Sequence, residues 1–166
     1  MLDEADFSRE DAAPIDMIES YYAAHGWDHQ RHDDEIVATV KGSWTQYELR
    51  ALWREEDCVL QFLAFPDIRV TDDERRTAVY EAIGLINEQL WIGHFDLWTH
   101  TGMIMHRQAL VLPGRIAAST AQCESMLAGA VHCCERYYPA FQFVVWAGKS
   151  ASEAMAASMF DTAGEA

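Results

Sequence analysis

Between Trp44 and Glu55, the side chains of Tyr47, Leu49, Ala51 and Trp53 fall on one side of a two-residue period, with Glu48, Arg50 and Arg54 on the other. Successive side chains of a β-strand point to opposite faces, so this stretch reads as a strand with one buried and one wet face. Glu55, Glu56 and Asp57 form a polar turn. Cys58 to Phe65 follows as an apolar run interrupted only by Gln61, the mark of a more central strand, and Pro66 stops it. Glu35 to Val40, rich in β-branched residues and followed by Gly42 and Ser43, completes a three-stranded antiparallel meander.

The flanking segments change to a helical period. Pro14 suits a first helical position, Asp16 and Glu19 favour the positive end of the helix dipole, and Gly26 closes a short amphipathic helix whose stripe is Ile15, Ile18, Tyr22 and His25. Thr71-Asp72-Asp73-Glu74 has the capping-box form, and Val79, Ala82, Ile83, Ile86 and Leu90 make a stripe that Gly93 can terminate. Phe95 to Trp98 and Met103 to Leu112 read as a hairpin about Thr99 to Gly102. Ser119 opens a third helix, in which Pro139 predicts a kink or break before a continuation to Trp146. Ser150 and Glu153 offer another capping box, before a short helix to about Met159. The predicted order is α-β-β-β-α-β-β-α, an α+β fold of an antiparallel five-stranded sheet with packed helices. It forms a single domain over residues 13–160. Residues 1–12, with five acids and one base, read as a flexible acidic segment, and residues 161–166 as a frayed C-terminus.

Charge narrows the function. The chain carries 12 Lys+Arg against 27 Asp+Glu, a net charge of −15, which repels phosphate backbones and anionic lipid surfaces. Neither nucleic acid nor a membrane is expected as a partner. No run of about 20 apolar residues is present, and the acidic start is unlike a secretory signal, so a cytoplasmic location is expected. Cys58, Cys123, Cys133 and Cys134 match no paired zinc framework and read as reduced, buried thiols. The adjacent Cys133 and Cys134 leave a redox pair as a third reading.

The sharpest constellation for chemistry is His25, His29 and His32, among Asp28, Asp33 and Asp34, since imidazoles and carboxylates ligate zinc. It supports a rival reading as a small-molecule or metal-binding protein, which could extend to an enzyme. Gly26, however, separates His25 from the other two. His132 and Cys133 are successive helix residues whose side chains diverge by about 100°, a poor geometry for a nucleophile and its base. Glu55/Glu56 and Asp72/Asp73 lie at turns or helix starts, where solvation and capping account for them. No phosphate loop, dinucleotide fingerprint, nucleophile elbow or HExxH motif occurs, and no cofactor is implied. Aromatics remain: Trp44, Trp91 and Trp98 sit beside turns or element ends, where a large amphipathic ring either packs in the ordinary way or serves contact with a partner.

The run Leu85-Ile86-Asn87-Glu88-Gln89-Leu90-Trp91-Ile92-Gly93-His94-Phe95-Asp96-Leu97, followed by Gly102 and an alternating strand, resembles the bacterial YbjN family, described as sensory transduction regulators. Ala128 to Phe141 and Gly148 to Ala154 are similar to it as well, and the likeness spans Ala13 to Met155. The resemblance implies a type III secretion chaperone-like fold with the element order read above. It also implies a small, acidic, dimeric binder of other proteins, and it offers no established catalytic residues to carry over. At the helix-to-strand junction, Gly93 permits a conformation that a Cβ disfavours, Asn87 can bond local backbone, and Phe95 points into the core. Thr99-His100-Thr101-Gly102 stands where the family resemblance would place acidic residues. The resulting expectation is a non-enzymatic, homodimeric protein-binding module with a regulatory or chaperone-like role. Its client would be held by Trp44, Tyr47, Trp53, Trp91 and Trp98.

Overall fold

Pro14 fills the first turn of helix α1 (Pro14–Ala24), where its missing N–H costs nothing, and the Asp16 carboxylate accepts the Ala13 N–H at 3.0 Å. The computed structural model that shows this describes residues 13–114 and 116–163, with side chains through residue 159. The acidic segment 1–12, residue 115 and residues 164–166 therefore lie outside the described residues, as do the side chains of 160–163.

Six strands follow in one antiparallel sheet: β1 (His29–His32), β2 (Glu35–Lys41), β3 (Gln46–Arg54), β4 (Val59–Phe65), β5 (His94–Trp98) and β6 (Met103–Val111). Their spatial order is β1-β2-β3-β4-β6-β5. The sheet thus has six strands where the sequence pattern predicted five. The extra one is β1, read from sequence as a polar loop, because His-Gln-Arg-His carries no apolar alternation. Tertiary contacts supply what its pattern lacks: full pairing with β2 from His29↔Ala38 to His32↔Glu35, and an Arg31 guanidinium held by Asp16 and Glu19 of α1.

Helix α2 (Asp73–Asn87) crosses from β4 to β5. Its N-cap is Asp72, whose carboxylate accepts the Glu74 N–H at 2.9 Å, rather than the predicted Thr71. It stops at Asn87, short of Gly93, because the Asn87 side chain is committed to the incoming strand. Helix α3 (Thr120–Val145) starts on the predicted Ser119–Gln122 capping box. It runs through Pro139 unbroken, which corrects the predicted interruption. Tyr137, Tyr138, Pro139, Ala140 and Phe141 are all buried, and that packing outweighs the roughly 3 kcal/mol that an interior proline costs. Helix α4 (Ala151–Ala163) begins with Ser150 and Glu153 bonding each other's backbone N–H groups at 2.9 and 3.2 Å, and extends past the predicted end near Met159.

The helices pack on one face of the sheet. Tyr47, Leu49 and Ala51 of β3, Leu60, Phe62 and Ala64 of β4, and Phe95 and Leu97 of β5 meet them in the main core. The opposite face carries a second, smaller cluster of Leu63, Phe65 and Met105, flanked by Leu52 and Met103, to which no helix contributes.

Candidate functional site

The helix-free face takes its character from strand alternation: every residue of β4 that does not face the helices faces outward, and two of these, Leu63 and Phe65, are large and apolar. Trp98 of β5 leans on Phe65 with ring centroids 6.0 Å apart and remains 44% exposed. The Arg50 guanidinium covers the other side of Phe65 at 5.6 Å from its centroid. Around this apolar centre charges are paired: Arg50 with Glu48 of its own strand at 2.6 Å and, across strands, with Glu35 at 3.4 Å, and Arg107 with Asp96 at 3.5 Å. The face thus holds a small, largely covered apolar cluster with Trp98 as its exposed ring and a charge-compensated rim, in a protein whose net charge is −15. Leu52, Leu63, Phe65, Met103 and Met105 did not figure among the sequence candidates. For Leu63 and Phe65 the signal was the almost unbroken apolar run from Cys58 to Phe65, which is apolar on both of its faces.

The five aromatic candidates do not converge. Tyr47 is fully buried on the helix side, beside Glu135, and burial followed by that carboxylate pushes its phenol up. Trp53 is half-buried against the main core. Trp44 stacks on Tyr138 at 6.0 Å and 11° and is 48% exposed, at the tip between β2 and β3. Trp98 lies on the helix-free face. Trp91 projects from the turn between α2 and β5 and is 99% exposed.

That turn is held by Asn87. Its side-chain amide donates to the Phe95 carbonyl at 3.1 Å while its Oδ1 accepts the Phe95 N–H at 2.8 Å, so one side chain imitates a neighbouring strand's ladder pair. Phe95 then enters the core edge-on to His106, Tyr137 and Phe141 at 5.2, 5.9 and 5.1 Å. An Asn87→Ala variant should lose about 2 kcal/mol, mostly the cost of leaving the Phe95 N–H unpaired, and Asn87→Asp, which keeps the acceptor, should lose less. Urea titration of both variants checks the order; equal losses would remove the acceptor from the account.

The histidine set is dispersed. His25 bonds the Tyr21 carbonyl through Nδ1 at 2.9 Å and packs on the Tyr21 ring at 4.0 Å. His29 bonds the Trp27 carbonyl through Nδ1 at 2.9 Å. His29 and His32 lie three residues apart on β1, hence on opposite sides of the strand. Among the described residues no group of three His, Cys, Asp or Glu is arranged to hold a metal ion. Cys133 and Cys134 are free thiols, and burial pushes both above the ordinary cysteine value, against thiolate chemistry.

No curated protein matches the chain in sequence. In structure it is similar to the crystal structure of YbjN from E. coli, with a TM-score of 0.53 and 8% identity over 75% of this chain and 90% of that one. A weaker likeness, with a TM-score of 0.47 and 15% identity over 72% of this chain and 86% of the other, is to the crystal structure of the ExsC–ExsE complex. The family model described as "YbjN: Putative bacterial sensory transduction regulator" matches residues 14–143, and the chain belongs to that family.

Proposed function

We propose that this protein is a non-enzymatic protein-binding regulator with chaperone-like action, working in the cytoplasm as a homodimer. The observation that carries the reading is Trp98 on the helix-free face, a half-exposed ring seated on the buried Phe65 with compensated charges nearby. Leu63, Phe65 and Met105 beneath it are themselves buried, so the area that would lose water against a partner is chiefly the exposed part of the Trp98 ring, and the paired charges around it set orientation at little desolvation cost. Family membership supports a regulatory role. The charge of −15 favours a basic client through steering and disfavours nucleic acid and anionic membranes. No helix among the described residues is long and apolar enough to cross a membrane.

The test is affinity capture at physiological salt with the wild type and a Trp44→Ala/Trp98→Ala double variant. Both rings are partly exposed, so the variant should stay folded. A partner retained by the wild type should be recovered at least about 10-fold less by the variant. An unchanged set of partners would take these residues out of the proposal.

A further inference from the structure

Strand β5 begins at His94, which pairs with Arg107, yet β6 continues to Val111 and stays paired with β4 over that whole length. Residues 108–111 of β6 consequently have a neighbour on one side only. The direction of their backbone groups follows from two fixed points: Leu112 donates to the Cys58 carbonyl at 2.8 Å and Ile104 to the Ile68 carbonyl at 3.1 Å, both toward the β4 side. Backbone groups alternate along a strand, so the N–H and C=O of Ala109 and Val111 point the other way, where no strand of the described residues lies.

Soluble proteins protect such edges with charges, prolines or bulges. The sheet's opposite edge, β1, does so with His-Gln-Arg-His. Residues 108–111 read Gln-Ala-Leu-Val, with no charge, no proline and an unbroken register, and Val111 is 63% exposed. Alongside runs a groove of about 360 Å³ whose walls include Ile92, Leu110 and Met126 and whose lining holds no charged residue. Trp91, the chain neighbour of the groove-lining Ile92, is the most exposed large apolar side chain among the described residues.

We propose that this edge is the seam of the homodimer: residues 108–111 pair antiparallel with the same residues of a second copy, and Trp91 of each copy packs into the groove of the other. The proposal rests on the homodimer reading above and supplies its interface. Two features select a second copy as the occupant. Copies each carrying −15 meet at the least electrostatic cost through surface free of charge, and this edge and its groove are so lined. A strand edge is also complementary to itself about a two-fold axis: Ala109↔Val111 pairs on either side of Leu110 close about four backbone hydrogen bonds and leave no new open edge at the seam. Pro113 and Gly114 end β6 immediately beyond, leaving the adjacent lane to the partner's β5.

Sedimentation equilibrium from about 1 to 100 µM tests it. The wild type should fit a monomer–dimer equilibrium. Ala109→Pro removes an N–H that β4 does not use and should raise the dimer dissociation constant about 100-fold or more, and Trp91→Ala about 10-fold. A wild type that stays monomeric overturns both the seam and the homodimer reading, and an Ala109→Pro variant that is folded and still dimeric overturns the seam alone. If Ala109→Pro fails to fold, amide exchange of the wild type decides: Ala109 and Val111 should be protected at high concentration and exposed on dilution. Free exchange at every concentration rejects the seam.

Discussion

Between pH 6.5 and about 4 the protein should lose about 3 kcal/mol of stability that a His106→Leu variant keeps. His106 is 1% exposed, set edge-on to Phe95 at 5.2 Å, and neither ring nitrogen has a hydrogen-bond partner. Burial, and after it the neighbouring His94, lowers its pKa from 6.5 to about 4; the Ile92 backbone lies nearby but outside hydrogen-bonding geometry and offsets them only in part. The unfolded chain therefore takes up a proton near pH 6.5 while the folded chain refuses it until about pH 4. Stability from this group is complete above pH 6.5, falls through that window, and falls no further below it. At pH 7 the Leu variant should lie within about 1 kcal/mol of wild type, since an unpartnered neutral imidazole contributes little that leucine does not. Urea titrations of both proteins at pH 7, 5.5 and 4.5 decide the matter. Other carboxylates weaken both proteins alike, so the difference between them isolates His106, and parallel curves would refute its assignment as a neutral buried group.

A Gly102→Ala substitution should cost about 3 kcal/mol or more. Gly102 has φ 71°, and an added Cβ would lie 2.2 Å from the Val70 carbonyl oxygen, which is backbone and cannot swing aside. The same residues are joined by hydrogen bonds: Gly102 donates to the Trp98 carbonyl at 2.7 Å and its own carbonyl accepts the Val70 N–H at 2.7 Å. The hairpin tip between β5 and β6 is thereby fastened to the chain leaving β4, reinforced by the Arg69↔Met103 bridge. Relief of the clash requires moving that segment, and Ile68 and Val70 with it, which are 1% and 2% exposed. Gly84→Ala is the control, since a Cβ there meets nothing within 4 Å and a helical site gains from alanine. Chemical denaturation should place the two variants on opposite sides of wild type; similar values for both would mean that the tip is not fastened as described.

Local chemistry was legible wherever a residue and its immediate neighbours suffice. Pro14 with Asp16, Ser119 with Gln122, and Ser150 with Glu153 open helices where the sequence placed them, because a cap needs only side chains within one turn. Strands β3, β4, β5 and β6 were readable for a similar reason, as alternation or an apolar run declares which face must be buried. The capping residue before α2 was misread by one position, since Thr71 and Asp72 both carry a side-chain oxygen and only the backbone path decides which aligns with the helix.

What the sequence by itself determined, then, was the α+β class, the order of all elements but one, and the helix starts, all consequences of period and capping. Tertiary structure alone made β1 a strand, since its four polar residues depend on β2 and on Asp16 and Glu19 for their ordering. It alone carried α3 through Pro139, and it alone sorted the aromatics into a buried Tyr47, a half-exposed Trp98 and a projecting Trp91. It also left residues 108–111 without a neighbour by starting β5 at His94. The physical reason is common to all four: pairing, packing and exposure depend on which distant segments arrive alongside, and no local period encodes that arrival.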